Sequence, residues 1–319
     1  MTGRARIAEA GTVSHSASRT LLAGAILLLL TAAGALAAPV RIVTAGELSA
    51  EISATGRTPV VLDARPSRDF RAGHVPGSLR VDWRDFSESR PGIASYLFGD
   101  PARWGLLAVD RASLLDRLRA LGMSSSRPVV VVGDPSGWGE EGRVAWMLLY
   151  LGHPEVALLD GGFPAWAVEN PGRIERDAAH APSGDFEPEP QPDRRMRLER
   201  LRAAIAVGSV TLLDARTAEE FAGKRLRGQK RGGRIPGARL VPEASLRAAD
   251  GLYVDGQTLA KLVGPLRPGV PLATYCTGGV RSALLAVLLE ARLGIVAANY
   301  DGSLWEWGSR DDLPLETGP

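Results

Sequence analysis

Residues 59–65 read PVVLDAR, and residues 210–216 read VTLLDAR. Each is a short apolar run that ends in Asp-Ala-Arg, the pattern of a buried parallel strand with polar residues at its carboxyl end. A glycine-bounded turn follows each run, GHVPG at residues 73–77 and GRIPG at residues 233–237. The second turn comes nine residues later than a constant offset predicts, so the second copy contains an insertion. The two halves of the chain are therefore internal repeats.

The repeat continues through helices and strands that alternate along both halves. The predicted elements, given as first half and second half, are the Asp-capped helices 110–121 and 255–263, the strands 128–132 and 271–275, the helices 142–151 and 281–293, and the closing segments 160–166 (DGGFPAW) and 301–307 (DGSLWEW). This alternation predicts an α/β fold in which each half forms a mainly parallel sheet with helices on both faces.

Length and composition agree with two folded domains. At about 150 residues per domain, 319 residues are enough for two full cores. The chain is 45% hydrophobic and 23% charged, which excludes wholesale disorder, collagen and coiled coil. We predict a first domain at 40–170, a proline-rich linker at 171–195 and a second domain at 196–317.

The first 37 residues are typical of a targeting segment. Three arginines precede an apolar block at 21–30, and residues 35–37 (ALA) match the pattern that signal peptidase accepts. We therefore predict a signal peptide at 1–37, export to the periplasm, and no stable membrane contact after cleavage. The alternative is an uncleaved membrane anchor, because residues 21–38 form a near-apolar stretch about long enough for a thin bilayer.

Charge and cysteine content exclude several classes of protein. The formal net charge is +2, and Arg4, Arg6, Arg19 and Glu9 together account for that excess, so the chain without its first 37 residues lacks the basic balance of a nucleic-acid binder. Cys276 is the only cysteine, which excludes an internal disulfide and a cysteine-ligated cluster. His153 and His180 have no ligand spacing. We therefore predict no metal and no cofactor.

Cys276 lies where α/β sheets carry their chemistry. It directly follows the predicted strand 271–275, and ligands bind beyond the carboxyl ends of parallel strands. Residues 277–282 (TGGVRS) then lead into an apolar helix. Two adjacent glycines let the backbone curl so that successive N–H groups point inward, and the helix start adds its positive end. A cysteine in such a nest has a lowered pKa and reacts as a thiolate with sulfur or phosphorus.

The alternative for Cys276 is a small buried apolar residue, which most free cysteines are. The first repeat separates the two interpretations. The corresponding strand end carries Gly133-Asp134 without a cysteine, although the surrounding pattern is repeated. We infer that Cys276 is a nucleophile and that only the second half carries it.

With these motifs, the chain resembles the tandem-domain rhodanese family of thiosulfate and 3-mercaptopyruvate sulfurtransferases. The resemblance spans residues 40–315 and rests on LDAR at 62–65, the turn GHVPG, DGG at 160–162 and the loop that begins at Cys276. It implies two rhodanese-like domains that face each other across a cleft, with the catalytic cysteine in the second domain only.

The resemblance also implies a two-step reaction. The Cys276 thiolate takes the sulfane sulfur of a small anionic donor and becomes a persulfide, and cyanide, a thiol or an acceptor protein then removes that sulfur. Loop N–H groups would hold both the thiolate and the persulfide. The expected substrate-binding residues are Thr277, Gly278, Gly279, Val280, Arg281 and Ser282, together with Arg234 of the second repeat.

Charged residues bear on the identity of the donor. Arg281 holds the sixth loop position, as in many bacterial members that use thiosulfate, so we expect thiosulfate, with 3-mercaptopyruvate as the alternative. Glu220 stands where some members have a donor-binding arginine, and a carboxylate there is expected to repel thiosulfate. The insertion offers compensation, because residues 224–234 include six basic side chains. These either contact the donor or an anionic acceptor protein, or form a solvated loop.

Other reaction classes fit less well. Phosphatase relatives carry a longer loop than the four residues that separate Cys276 from Arg281. A thiol-disulfide oxidoreductase would need a resolving cysteine. A persulfide carrier that delivers sulfur to a partner protein without turnover requires the same loop, so the sequence leaves that alternative open beside the enzyme.

Overall fold

The computed structural model describes residues 40–90, 97, 100–108, 110–177 and 179–318, apart from the side chain of Arg111. The predicted leader at 1–37 lies outside the described residues. Within the described part of the chain, no helix combines the length and the apolar character needed to cross a membrane.

The first domain is built on one parallel sheet. Its elements in chain order are β1 (Val40–Val43), α1 (Ala45–Ser53), β2 (Val60–Asp63), α2 (Ser67–Ala72), β3 (Leu79–Arg80), two 3₁₀ turns (Trp83–Phe86 and Pro101–Arg103), α3 (Arg111–Ala120), β4 (Val129–Val132), α4 (Glu140–Tyr150), β5 (Val156–Leu159) and α5 (Gly162–Glu169). The strands pair in the order β1-β5-β4-β2-β3, and the pairings are parallel.

The second domain repeats this plan. Its elements are β6 (Arg195–Met196), α6 (Leu198–Ala206), β7 (Thr211–Asp214), α7 (Ala218–Ala222), β8 (Arg239–Leu240), a 3₁₀ turn (Glu243–Leu246), α8 (Gly256–Val263), β9 (Leu272–Tyr275), α9 (Arg281–Leu293), β10 (Ala298–Tyr300) and α10 (Ser303–Trp307). The order β6-β10-β9-β7-β8 matches the first sheet position for position. The predicted α/β fold and internal repeat are therefore confirmed.

Strand β4 explains why helices cover both faces of the sheet. Its four valines are all buried, which a strand with one solvated face does not allow. Val129 and Val131 join the core cluster that includes α3 and α4, whereas Val130 and Val132 join the cluster that includes α1 and α5. Successive side chains of a strand point to opposite faces, so one apolar run supplies both cores.

The Asp-Ala-Arg motifs tie each strand end to its glycine-bounded turn. The Asp63 carboxylate accepts a hydrogen bond from Arg65 at 2.6 Å, and the same guanidinium donates to the Gly73 carbonyl at 2.8 Å. The second repeat has the same contacts at 2.6 and 2.9 Å, between Asp214, Arg216 and Gly233. Asp214 therefore organises a turn at the carboxyl edge of the sheet that carries Cys276, and Asp63 organises the corresponding turn of the first sheet.

Apart from residue 178, which lies outside the described residues, the predicted linker 171–195 has little regular secondary structure and packs against the first domain. Phe186 is 1% exposed, and its N–H donates to the Met123 carbonyl at 3.0 Å. Arg195 pairs with β10 as the first residue of β6, so the second sheet begins one residue before the predicted start of its domain. The described residues of the linker therefore pack as part of the folded chain.

The two domains meet where α4 packs along α9. Gly142 on α4 makes this approach possible, because a Cβ atom there would lie 2.4 Å from the Cα of Leu284 on α9. Real Cβ atoms do not come this close to backbone, so a side chain at this position would push the helices apart.

Reciprocal hydrogen bonds flank this helix pair. The Asp301 carboxylate of the second domain accepts the N–H of Leu107 at 2.8 Å, and the Asp160 carboxylate of the first domain accepts the N–H of Tyr253 at 2.7 Å. Asp160 and Asp301 open the repeated closing segments, so the internal repeat also generates the interface between its two copies.

Gly142→Ala is expected to lower the free energy of unfolding by about 1–3 kcal/mol, because the added methyl group overpacks the contact between α4 and α9. The matched control is Gly46→Ala in α1, where the nearest atom to the added Cβ lies 3.6 Å away. That change should leave stability unchanged or raise it by up to about 1 kcal/mol. Urea denaturation of both variants provides the measurement, and equal stability of the two would show that the helix contact tolerates a side chain.

Candidate active site

Cys276 lies at the carboxyl end of β9, the central strand of the second sheet, as the sequence predicts. It is 2% exposed. Its N–H donates to the Ser303 hydroxyl at 3.1 Å, and its carbonyl accepts the N–H of Leu304 at 3.3 Å. Ser303 has a φ of 50°, in the left-handed region that few residues other than glycine adopt. The start of α10 therefore fixes the cysteine backbone, with some strain at Ser303.

Two glycines let the loop at 277–280 curl against the closing segment of the domain. Gly279 has a φ of 74°, and a Cβ atom there would lie 2.6 Å from the backbone of Asp301. A Cβ atom at Gly278 would lie 2.0 Å from the ring of Trp305. The loop requires glycine at both positions because its backbone passes so close to these neighbours.

The surroundings of Cys276 favour the ionised thiol. Burial raises the pKa of the Cys276 thiol, but the Arg281 guanidinium, the N–H and hydroxyl of Ser282 and the N–H of Gly278 outweigh burial and lower the pKa below its usual value. An inert buried cysteine would also be inaccessible, but it would not be surrounded by hydrogen-bond donors. The loop therefore surrounds the sulfur with groups that favour its anionic form.

Glu220 is the principal partner of Arg281. The two guanidinium Nη atoms of Arg281 donate to the two carboxylate oxygens at 2.7 and 2.9 Å, and the Thr277 hydroxyl donates to the same carboxylate at 2.9 Å. Burial raises the pKa of Glu220, but the hydrogen bonds and charge of Arg281, with smaller contributions from Thr217 and Thr277, lower it to about 2. Glu220 is therefore ionised and neutralised by Arg281, and it is not the unpaired, donor-repelling carboxylate that its position in the sequence predicted.

Arg281 thus lies between two anionic groups. Glu220 occupies both of its Nη donors, and the charge of the Cys276 thiolate also raises the pKa of the guanidinium, against the effect of burial. The Arg281 side chain is 11% exposed. The observed hydrogen bonds of Arg281 go to Glu220 and Thr277, and its charge lowers the pKa of Cys276. Direct binding of the sulfur donor by Arg281 stays a prediction.

Arg234 makes its contacts within the second domain. Its guanidinium donates to the Glu316 carboxylate at 3.1 Å and to the Gly318 carbonyl at 2.6 Å, and it lies 4.5 Å from the centre of the Phe221 ring. The backbones of Arg234 and Glu316 also pair as an isolated bridge. The predicted role of Arg234 in donor binding stays a prediction.

The other basic residues of the insertion also have partners within the protein. Arg227 lies over the ring of Trp138 in the first domain, 4.1 Å from its centre, and the Arg227 carbonyl accepts the Trp305 indole N–H at 2.8 Å. Further pairs are Lys224 with Glu219, Lys230 with Asp311, and Arg231 with the carbonyls of Gly308 and Leu313. Arg227, Lys230 and Arg231 therefore hold the insertion against the body of the protein, while the Lys224 and Lys230 side chains stay 57% and 56% exposed.

Ser303 and Asn299 contact the cysteine loop and were not predicted from the sequence. Ser303 replaces Gly162 of the first repeat, and both have positive φ, 50° and 59°. A serine at a repeated glycine position is a signal that the sequence does contain. Asn299 donates to the Gly279 carbonyl at 3.0 Å and accepts the Ser282 hydroxyl at 2.7 Å. Asn299 lies inside a strand and belongs to no motif, so its role becomes visible only in the folded chain.

The first domain closes the position that corresponds to Cys276. Gly133 follows the central strand β4, and a Cβ atom there would lie 2.2 Å from Oε2 of Glu141. Glu141 is 1% exposed, and its other oxygen accepts the Tyr253 hydroxyl at 3.0 Å. A carboxyl group therefore fills the space that a side chain would need. Throughout the described part of the chain, no group of three or more His, Cys, Asp or Glu residues is placed to hold a metal ion.

Comparisons with known proteins agree with this geometry. The family model described as rhodanese-like domain matches the chain twice, at residues 44–169 and 197–310. A thiosulfate sulfurtransferase of Corynebacterium glutamicum is 33% identical over 296 residues, which cover 88% of this chain and 91% of that relative. The sulfur carrier protein TtuD of Thermus thermophilus is 30% identical over 265 residues, which cover 78% of this chain and 87% of that relative.

Solved structures share the fold. The anaerobic ergothioneine biosynthesis enzyme of Chlorobium limicola, in complex with trimethyl histidine, has a TM-score of 0.73 at 20% identity, and the match covers 88% of this chain and 70% of that one. The structure of YnjE has a TM-score of 0.73 at 22% identity, with 88% and 68% covered. Both repeats match the family model and the sheets have the same strand order, so the chain belongs to the rhodanese-like domain family, with two copies of the domain in tandem.

Proposed function

We propose that this protein is a sulfurtransferase that moves a sulfane sulfur from thiosulfate to cyanide or a thiol through a persulfide on Cys276. The observation that carries the proposal is the position of the one thiol of the chain, at the carboxyl end of the central strand β9, with the N–H groups of Gly278 and Ser282 and the Arg281 guanidinium around it. The name of the Corynebacterium glutamicum relative supports thiosulfate as the donor. The alternative donor is 3-mercaptopyruvate.

In the first step, the Cys276 thiolate attacks the outer sulfur of thiosulfate. The sulfur–sulfur bond of the donor breaks, and sulfite leaves with the bonding electron pair. The product is a persulfide anion on Cys276, so the total charge is unchanged. Gly278 and Ser282, whose N–H groups stabilise the thiolate, are the donors that we assign to the persulfide as well.

In the second step, the acceptor attacks the outer sulfur of the persulfide. Cyanide forms a carbon–sulfur bond and leaves as thiocyanate, while the bonding electron pair returns to Cys276 as a thiolate. A thiol acceptor leaves as a new persulfide, and its proton passes to solvent. The same groups that lower the pKa of Cys276 make its thiolate a good leaving group.

The second candidate function is a persulfide carrier that hands its sulfur to one acceptor protein. The name of the Thermus thermophilus relative supports it. The low exposure of Cys276, 2%, favours small acceptors instead. Continuous thiocyanate release from excess thiosulfate and cyanide indicates an enzyme, whereas a single labelling of Cys276 without further release indicates a carrier.

Cys276→Ser is expected to abolish persulfide formation and thiocyanate release, because a serine hydroxyl does not ionise near neutral pH. Mass spectrometry after incubation with thiosulfate should find one added sulfur atom on the wild type and none on the variant. The variant should melt close to the wild-type temperature, since oxygen replaces sulfur without changing the loop. Sulfur transfer by a folded Cys276→Ser protein would contradict the proposal.

Arg281→Met is expected to slow persulfide formation about 100-fold at neutral pH, because the thiol loses its cation and the buried Glu220 loses its charge partner. Loss of the cation raises the pKa of Cys276, so the rate should recover as the pH rises. The double variant Arg281→Met/Glu220→Gln removes both charges and should come within about tenfold of the wild type. Rates of persulfide formation measured against pH test this pairing. A double variant as slow as the single one would rule it out.

We also propose that the protein is exported and that residues 1–37 are removed. Fractionation of the producing cells followed by mass spectrometry should give a soluble protein that begins at Ala38. The control is Ala37→Arg, which should block cleavage because signal peptidase requires a small residue there. Full-length protein in the membrane fraction would indicate an anchor, and unprocessed protein in the cytoplasm would contradict export.

A further inference from the structure

Arg143 is a residue of the first domain that reaches the cysteine loop of the second. It lies on α4 and is 1% exposed. One Nη atom donates to the Gly279 carbonyl at 3.4 Å, and the other donates to the Gly105 carbonyl at 2.7 Å. Gly279 belongs to the loop around Cys276, so the domain without a nucleophile contacts the environment of the nucleophile directly.

The charge of Arg143 is poorly compensated. Its hydrogen bonds within the described part of the chain go to backbone carbonyls, and the nearby Asp301 is already paired with Arg195 at 2.7 Å. Burial lowers the pKa of Arg143 to about 10, while the charges of Asp301 and of the Cys276 thiolate act in the opposite direction. The ring of Trp146, 4.7 Å away, gives partial stabilisation. A buried cation of this kind costs free energy that its structural contacts do not repay in full.

The Gly279 carbonyl has two donors. Besides Arg143, the side chain of Asn299 donates to it at 3.0 Å. The carbonyl of Gly279 and the N–H of Val280 belong to one planar trans peptide and point in opposite directions. Fixing the carbonyl toward Arg143 and Asn299 therefore fixes the direction of the Val280 N–H and keeps the negative carbonyl end turned to the first domain.

We propose that Arg143 is a positioning residue for Cys276: it fixes the Gly279–Val280 peptide so that the loop presents N–H groups to the sulfur, and its charge offsets that of the thiolate and the persulfide. The effect of Arg143 on the ionisation of Cys276 does not depend on the proposed function, whereas its effect on the persulfide rests on that function. The first domain thereby acts in the reaction although it has no cysteine.

The test uses Arg143→Met, which removes the charge and both hydrogen bonds, and Arg143→Lys, which keeps the charge without the forked donor. The first readout is the pH dependence of alkylation of Cys276, the one thiol of the chain. In Arg143→Met the midpoint should rise by about 0.5–1 unit. In Arg143→Lys it should stay near the wild type.

The second readout is the rate of persulfide formation from thiosulfate. At neutral pH, Arg143→Met should be about tenfold slower, with partial recovery at alkaline pH where its thiol is ionised. Arg143→Lys should be slowed severalfold at all pH values, because the peptide is no longer held by two donors. If Arg143→Met does not fold, the Arg143→Lys rate decides: a wild-type rate overturns the proposal.

The control is Arg194→Met. Arg194 donates to the buried Glu290 of α9 at 2.8 Å. Glu290 lies about 13 Å beyond Arg281 along the axis of this helix. This variant should melt at a lower temperature yet keep the wild-type midpoint of Cys276 alkylation.

The proposal is overturned if folded Arg143→Met also keeps that midpoint, or if Arg194→Met shifts it equally. A wild-type protein that forms no persulfide, but whose midpoint Arg143→Met still raises, would refute the proposed function and leave the role of Arg143 in ionisation standing.

Discussion

A negative charge on a buried sulfur is the constraint on which the rest of the site depends. Such a charge is unfavourable unless fixed donors replace the water that it loses. At Cys276 those donors are loop amides, the Ser282 hydroxyl and the Arg281 guanidinium. The loop does not place them by itself, because Glu220 holds Arg281 and Ser303 holds the cysteine backbone. The reactivity that we propose for Cys276 therefore depends on the whole carboxyl edge of the second sheet.

The interface between the two repeated domains also contacts the cysteine loop. Asp160 and Asp301 each accept a backbone N–H from the opposite domain, and the paired helices α4 and α9 meet through Gly142. This symmetric contact brings the first domain against the cysteine loop, where Arg143 reaches the Gly279 carbonyl. A copy that lost, or never had, a nucleophile can remain useful as part of the surroundings of the other copy's nucleophile.

The sequence predicted the fold and the position of the thiol because both follow from local patterns. Apolar runs that end in Asp-Ala-Arg became β2 and β7, and α9 begins and ends at the predicted residues. The pairing of Glu220 with Arg281 was missed because the two residues are 61 positions apart. Glu220 lies in the first turn of α7, and no sequence periodicity links that turn to the cysteine loop. Arg143 was missed for the same reason, since its contact depends on how two domains pack. The basic insertion was also ambiguous, because composition alone does not reveal partners such as Glu316 for Arg234.

The closed position at Gly133 makes the asymmetry of the repeat difficult to reverse. Replacing that glycine with cysteine would drive the new side chain into the Glu141 carboxyl, 2.2 Å from the added Cβ. Shortening Glu141 first would release Tyr253 and Arg247 of the other domain, to which it is bonded. A cysteine at this position would therefore require changes at both Gly133 and Glu141. The asymmetry of the repeat is thus tied to the domain interface, because the carboxyl group that closes the first site also bonds to the second domain.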